Sequence, residues 1–184
     1  MPELPAQRYK EEQLRTLPAG TGVYALCDLD NVPIYVGQSV DGIRARVRRH
    51  LTSARSDVIA NRQIDVWEIG YVRAWSVVGQ PAINSLEGYL YSKFDAQSPL
   101  VNGDVLKSMG EYADKVPDPV QVQVIPEELL VARRDPTLRF PRQIQHFNQL
   151  VDYVLNTQDK PHLRRALSVY FARLSRYYEQ FIQE

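Results

Sequence analysis

Arg46 and His50 place a permanent cation and a titratable imidazole four residues apart. In a helix from about residue 42 to 54, this spacing puts both side chains on one flank of the apolar stripe formed by Ile43, Val47 and Leu51. From the border of a buried face, a guanidinium and an imidazole can point at the same bound anion. The pair therefore predicts an anion site beside this helix.

Glu87 is a carboxylate on a helix face that should be buried. At helical spacing, Ile83, Leu86, Leu90 and Phe94 share one face, and Glu87 falls in its middle. Burial of an unpaired carboxylate is costly, so such a group is paired, protonated or bound to a metal. An internal salt bridge to an arginine is one interpretation. A metal ligand at the edge of a cleft is the interpretation that the surrounding sequence favours.

A hairpin before these helices must position two tyrosines. Residues 22–27 and 33–37 are β-prone, and residues 28–31 between them are rich in turn formers. Tyr24 and Tyr35 would then share one face of the paired strands. Tyrosines in hairpins usually pack, so a chemical role for them depends on the arginine and histidine that follow.

Taken together, these residues resemble the GIY-YIG nuclease superfamily. A Gly-x-Tyr triplet, a Tyr-x-Gly triplet, an arginine followed by a histidine, an isolated helical glutamate and a downstream asparagine occur in the family's order. In this chain they are Gly22-Val23-Tyr24, Tyr35-Val36-Gly37, Arg46, His50, Glu87 and Asn102. The triplets read GVY and YVG, a change that affects packing alone. The resemblance covers residues 17 to 105 and is closest to the small bacterial and restriction-type branches.

The resemblance implies a metal-dependent DNA endonuclease that hydrolyses phosphodiester bonds, in restriction, phage defence or repair. The implied catalytic residues are Tyr24, Tyr35, Arg46, His50, Glu87 and Asn102. The chemistry suits these residue types, because the forked donors of Arg46 match phosphate oxygens and Glu87 can hold one Mg²⁺ or Mn²⁺ per site. A tyrosine would act as or beside the general base, and both Tyr24 and Tyr35 are candidates.

Two other functional classes are alternatives to an enzyme. One is a non-catalytic DNA-binding protein on the same fold, and the other is a protein in which the motif only packs and another surface binds a partner. The joint presence of the whole residue set argues against both. A protein without catalysis has no physical need for a carboxylate on an apolar helix face.

The charge distribution restricts where DNA would bind. The formal net charge is zero, so attraction to phosphate must come from local patches. Residues 41–55 carry five arginines and one aspartate, and residues 160–178 carry basic residues without an acid. Solvated helix faces are the alternative interpretation of both stretches. The predicted DNA contacts are Arg44, Arg48, Arg49, Arg55, Arg164, Arg165, Arg173 and Arg176.

The overall pattern predicts an α+β fold in which helices flank a small, mostly antiparallel sheet of three strands. An N-terminal extension (1–16) would precede a GIY-YIG-like core (17–119), and residues 120–184 would add an edge strand at 120–125 and a C-terminal helical extension. Within these regions, residues 102–119 predict a polar, irregular connection, 133–142 an exposed connector, and 143–155 and 162–182 two amphipathic helices. The apolar stripe of the last helix either packs on the core or pairs with a second copy, and a homodimer with two active sites is the prediction.

The remaining aromatic and sulfur residues predict packing. Residues 64–78 predict one long strand with Trp67, Tyr71 and Trp75 on one face, as aromatic core or as a platform for nucleotides. The lone Cys27 predicts a buried thiol and excludes a disulfide within one chain. The amino end has no signal-peptide pattern and no apolar run approaches membrane length, so we expect a cytoplasmic protein without a membrane partner.

Overall fold

Four strands form one antiparallel sheet in the part of the chain that the structure, a computed structural model, describes: residues 3–102, 112 and 115–183. The strands are β1 (Gly22–Cys27), β2 (Pro33–Ser39), β3 (Tyr71–Ser76) and β4 (Val120–Gln123), in the order β2-β1-β3-β4. With the helices around it, this sheet confirms the α+β class. It has one strand more than predicted, because β4, expected as an edge strand, pairs with β3.

The helices follow most of the predicted positions. They are α1 (Glu3–Arg15), α2 (Ile43–Thr52), α3 (Asp57–Ala60), α4 (Gln80–Gln97), α5 (Glu127–Arg134), α6 (Pro136–Asn156) and α7 (Pro161–Ile182). Of the predicted connection after Asn102, residues 103–111, 113 and 114 lie outside the described residues. None of the described helices is both long enough and apolar enough to span a membrane.

The turn and the close strand packing of the hairpin depend on two residues. The Asp28 carboxylate accepts hydrogen bonds from the backbone N–H groups of Asp30 and Val32, at 2.9 and 2.8 Å, which fixes the turn between β1 and β2. At the start of β1, Gly22 has a φ of 150°, and a Cβ there would lie 2.0 Å from the Trp75 carbonyl oxygen. The glycine of the first triplet is therefore needed for β1 to approach β3.

The two faces of β1 belong to different layers. Val23, Ala25 and Cys27 pack against α4, whereas Tyr24 and Leu26 face a cluster built from α1, α2, α6 and α7. Cys27 is fully buried, as predicted, and burial raises the pKa of its thiol to about 12. Because β2 is an edge strand, side chains from both layers can meet beyond it.

The predicted connector at 133–142 is wrong, because these residues continue through α5 into α6. Pro136 lies at the start of α6, where a missing N–H costs no helical hydrogen bond. Asp135 caps this helix, since its carboxylate accepts from the backbone N–H of Thr137 at 2.9 Å. Pro136, in the stretch predicted as a connector, is thus the start of a helix.

The predicted long strand at 64–78 is also corrected. Residues 66–68 form a 3₁₀ turn capped by Asp65, and β3 begins only at Tyr71, so Trp67 is not on the strand. Trp75 is buried, with its ring 6.1 Å from that of Phe94. Trp75 therefore belongs to the aromatic core and does not form a platform for nucleotides.

The closing helices pack on the core and are joined to it by buried charges. An ionic network runs between them and the sheet: Arg173 Nη2 lies 2.5 Å from Asp28 Oδ2, and Arg139 pairs with Glu68. The Tyr177 hydroxyl lies inside this network, donating to Glu68 at 2.9 Å and accepting from Arg173 at 2.8 Å. The same hydroxyl therefore donates to an acidic side chain and accepts from a basic one.

Tyr177→Phe should lower the free energy of unfolding by about 2 kcal/mol, because it removes one of the donors to Glu68 and one of the acceptors of Arg173 in a buried site. Tyr178→Phe is the matched control: Tyr178 is 48 % exposed, and its change should stay within about 0.5 kcal/mol. Urea unfolding of both variants measures the difference. Equal losses would mean that the Tyr177 hydroxyl contributes no more to stability than an exposed one.

Candidate active site

The hairpin brings the two predicted tyrosines together. Tyr24 on β1 pairs with Gly37 on β2, and Leu26 pairs with Tyr35, so both phenols lie on one face. Their ring centroids are 6.3 Å apart. A Cβ at Gly37 would lie 2.6 Å from the Tyr24 hydroxyl. The glycine of the second triplet is therefore required by the tyrosine of the first.

Helix α2 places His50 against both tyrosines. The His50 ring is buried, with its centroid 5.8 Å from that of Tyr24 and 6.1 Å from that of Tyr35. Its Nε2 lies 2.8 Å from the Tyr24 hydroxyl, and its Nδ1 lies 2.6 Å from Ser56 Oγ. The imidazole thus links a phenol to a serine hydroxyl through both ring nitrogens.

Arg46, one turn before His50, lies beside the same phenol. Burial is the largest single influence and lowers the pKa of Arg46, but the combined effects of Tyr24, Asp57 and Tyr35 keep that pKa above its usual value. Its Nε is buried and has no hydrogen-bond partner among the described residues. A buried guanidinium nitrogen without an acceptor is a group that a bound anion would satisfy.

Glu87 approaches the tyrosines from α4, which packs on the opposite face of the sheet. The side chain is 6 % exposed, and its Oε2 accepts a hydrogen bond from the Gln38 amide at 2.8 Å. Burial raises the pKa of Glu87 to about 7, although the hydrogen bond from Gln38 opposes this. The charge of Glu87 raises the pKa of both tyrosines, so the carboxylate lies within electrostatic reach of them. Glu87 forms no ion pair with the described residues, which excludes among them the internal salt bridge considered from the sequence.

Burial sets the protonation states of the other groups. It raises the pKa of Tyr24 well above its usual value and that of Tyr35 to about 12, and Arg46 only partly opposes these increases. Burial and then the charge of Arg46 lower the pKa of His50 to about 4. At neutral pH both phenols are protonated and the imidazole is neutral. His50 can therefore accept a hydrogen bond from Tyr24.

Asn102 has a different position from the other predicted residues. Its Oδ1 accepts from the Val36 backbone N–H at 2.9 Å, and its Nδ2 donates to the Val36 carbonyl at 2.5 Å. Next to it, the Val101 N–H donates to the Ile34 carbonyl at 2.8 Å. Asn102 thus pairs with the free edge of β2 as a strand would. It holds the strand that carries Tyr35, and both polar atoms of its side chain are occupied by that backbone.

Two clefts open along α2. The first, of about 550 Å³, is lined by Gln38 and residues 39–42 from the end of β2, by Arg46 and Arg49 of α2, and by Gln80 at the start of α4. The second, of about 480 Å³, lies on the other flank of α2, and Arg49 lines it too. Arg46 is therefore reached from the first cleft, and Arg49 lies exposed between the two.

Of the four arginines near α2 that are predicted to contact DNA, Arg44 and Arg48 have partners within the protein, and Arg49 and Arg55 are exposed. Arg44 Nε donates to the Leu17 carbonyl at 2.8 Å, and Arg48 pairs with Glu11 at 2.8 Å, both on the flank away from the first cleft. Arg49 and Arg55 are exposed. Of these four arginines, Arg49 is the one that lines the same cleft as Arg46.

The predicted contacts in α7 divide in a similar way. Arg173, one of the predicted DNA contacts, does not lie on an outer face of α7, because it is buried and paired with Asp28. Arg164 pairs with Asp159 at 2.5 Å, and Arg165 pairs with Asp95 at 2.5 Å. Arg176 is exposed.

Three residues near the tyrosines were not predicted. Gln38 holds Glu87, and Ser56 holds His50. The charge of Asp57 raises the pKa of both Arg46 and His50. Gln38 directly follows the second triplet, so its position was a usable signal. Ser56 and Asp57 follow the end of α2 in a turn, and no local pattern marks them.

Glu87 fits a single hydrated divalent ion. A cation would offset the cost of burying this carboxylate, which has a neutral amide as its hydrogen-bond partner. Within the described ranges, no group of three or more His, Cys, Asp or Glu side chains is placed to hold a metal. Mg²⁺ keeps several waters and binds through one or two carboxylates together with substrate phosphates. The single carboxylate therefore suits an ion that binds together with a substrate phosphate.

The chain was also compared with known proteins. No protein-family model matches it, and no curated protein matches it significantly.

Proposed function

We propose that this protein is a metal-dependent DNA endonuclease of the GIY-YIG type. The observation that carries the proposal is the meeting of Tyr24, Tyr35, Arg46, His50 and Glu87, which come from β1, β2, α2 and α4. A packing role does not need two phenols, an imidazole, a guanidinium and an unpaired carboxylate in one place. Phosphodiester hydrolysis needs groups of these kinds.

Arg46 would bind the scissile phosphate. Its Nε lacks an acceptor among the described residues, and the side chain lines the first cleft. A guanidinium offers paired donors to two phosphate oxygens and stays charged at every relevant pH. Charge that builds up on these oxygens in the transition state would strengthen the contact, which is how such a residue accelerates the reaction.

Tyr24 and His50 would remove the proton of the attacking water. The raised pKa of Tyr24 excludes a standing phenolate at neutral pH. The phenol can still take the water proton if its own proton passes at the same time to His50 Nε2, which lies 2.8 Å away. Tyr35 packs against both groups and would orient the water.

Glu87 would hold Mg²⁺ or Mn²⁺, which supplies positive charge to the phosphate and the leaving oxygen when bound. Gln38 occupies Oε2, and Oε1 accepts no hydrogen bond from the described residues. This leaves one carboxylate oxygen for a ligand. The neutral Gln38 amide keeps the side chain oriented without neutralising its charge.

The direct test is incubation of the purified protein with supercoiled plasmid, in Mg²⁺ and in EDTA. We expect nicked or linear DNA in Mg²⁺ and intact plasmid in EDTA. A mobility shift without cleavage in either buffer would favour a non-catalytic DNA-binding protein. Neither shift nor cleavage would favour a protein whose partner is not DNA.

We further propose that two copies form a homodimer that cuts both strands. The inner face of α7 packs on the core, whereas its outer side exposes Phe171, Tyr178 and Phe181. Two active sites related by a two-fold axis suit symmetric cleavage of a duplex. Light scattering should give twice the monomer mass, and plasmid should be converted to linear DNA. A monomer with and without uncleaved duplex, with nicked plasmid as the end product, would contradict the dimer.

A further inference from the structure

Ser56 stands at the N-cap of α3 but does not cap it. An N-cap serine normally accepts a hydrogen bond from an amide of the first turn, which is worth about 1 kcal/mol. Here the hydroxyl makes no such bond and lies 2.6 Å from His50 Nδ1 instead. The side chain is buried, so water does not compete for it. The Ser56 hydroxyl therefore contacts the imidazole and does not stabilise the start of α3.

The contacts of Tyr24 favour one of the two neutral forms of His50. Arg46, on one side of the phenol, has no lone pair to accept from it. His50 Nε2 is 2.8 Å from the hydroxyl and can accept. A neutral imidazole that accepts at Nε2 carries its proton on Nδ1, and the Ser56 oxygen is placed to receive that N–H.

We propose that Ser56 is a positioning residue that holds His50 in the Nδ1–H form, so that Nε2 is free to take the proton of Tyr24. The inference rests on the proposed function. As the water oxygen bonds to phosphorus, the water proton passes to the Tyr24 oxygen, the phenol proton passes to Nε2, and the bond from phosphorus to the 3′ oxygen breaks. Solvent protonates the leaving oxygen, and the imidazolium later returns its extra proton to solvent.

The groups around His50 act on this transient imidazolium in opposite directions. Tyr24 and Tyr35 face it from the sheet, Arg46 lies on its own helix, and Asp57 faces it from α3. Burial and the charge of Arg46 disfavour the imidazolium, and the charge of Asp57 partly offsets them. Ser56 and Asp57 therefore supply, from adjacent positions, a hydrogen-bond acceptor and a negative charge behind the ring.

The tautomer can be measured without any cleavage assay. In the ¹⁵N-labelled protein, long-range proton–nitrogen correlation spectra distinguish a protonated ring nitrogen from an unprotonated one, and a His50→Gln variant assigns the signal. We expect Nδ1–H in the wild type and a shift of population toward Nε2–H in Ser56→Ala. A wild-type ring protonated on Nε2, or an unchanged ring in Ser56→Ala, would overturn the proposal even if the protein cuts DNA.

Kinetics give the second test. Ser56→Ala should lower kcat about ten- to a hundredfold with KM nearly unchanged, because the hydroxyl acts on the proton acceptor and not on DNA. Ser56→Thr keeps a hydroxyl and should recover most of the rate. Ser53→Ala, in the same turn, removes a hydroxyl whose partner is the Arg55 N–H and should leave kcat unchanged. Equal losses in Ser56→Ala and Ser56→Thr would contradict the role of the hydroxyl, whereas a wild type that cuts no DNA would contradict the proposed function alone.

Discussion

Glu87→Gln should reduce plasmid cleavage in Mg²⁺ by about a thousandfold or more, because it removes the only charge on α4 that faces the tyrosines among the described contacts. The amide has the shape of the carboxylate, and its oxygen can still accept from Gln38. The fold and most of the affinity for DNA in EDTA should therefore remain. Glu179→Gln, an exposed acid on α7, is the matched control and should cleave at the wild-type rate.

The same variant should be more stable than the wild type at high pH. Burial raises the pKa of Glu87 to about 7, above its value in an unfolded chain, so the folded state binds this proton more tightly. The associated stability is complete below about pH 4 and is lost as the pH rises through about 7. At pH 8, Glu87→Gln should exceed the wild type by up to about 3 kcal/mol in urea unfolding, and the two should converge at pH 4.

Mg²⁺ provides a third readout on the same residue. An ion held by Glu87 should raise the wild-type unfolding temperature at pH 8 and leave that of Glu87→Gln unchanged, since only the native carboxylate binds it. Cleavage by Glu87→Gln close to the wild-type rate would assign Glu87 a structural role and end the metal assignment. Loss of cleavage together with loss of the folded state would also contradict the assignment of Glu87 as the metal ligand.

The sequence was sufficient for the parts of the site that depend on local periodicity. Alternation along β1 and β2 predicts that Tyr24 and Tyr35 share a face, and their rings do lie together. The four-residue spacing of Arg46 and His50 predicts a common flank of α2; His50 Nε2 lies 2.8 Å from the Tyr24 hydroxyl, and Tyr24 raises the pKa of Arg46. The burial of Glu87 followed from the apolar face around it.

The parts that failed depend on contacts between distant residues. Arg173 lies in a stretch without acids and was interpreted as solvent-facing, but its partner Asp28 is 145 positions away along the chain. Asn102 has no local signal for its role, because the edge of β2 that it pairs with is defined only by the order of the sheet. At Tyr35, burial raises the pKa more than the charge of Arg46 lowers it, and the sequence alone cannot reveal this balance.

Arg46→Ala should lower kcat by about a thousandfold, as expected for an arginine whose contact with phosphate strengthens in the transition state. The affinity for uncleaved DNA and its dependence on salt should change little. Arg46→Lys keeps the charge but loses the forked donors, so it should recover only part of the rate. Cleavage rates and filter-binding titrations over a range of salt concentrations measure both effects.

Arg49→Ala is the variant that separates binding from catalysis. Arg49 is exposed and lines the same cleft, and its side chain makes no hydrogen bond with Tyr24 or His50 in the described structure. Its removal should weaken DNA binding and flatten the plot of log affinity against log salt by about one unit for the lost phosphate contact, with kcat retained. Arg48→Ala, where the arginine pairs with Glu11 outside this cleft, is the control and should change neither. If Arg49→Ala abolished turnover while Arg46→Ala only weakened binding, the scissile phosphate would lie at Arg49, and the assignment of Tyr24 as the residue beside the attacking water would fail with it.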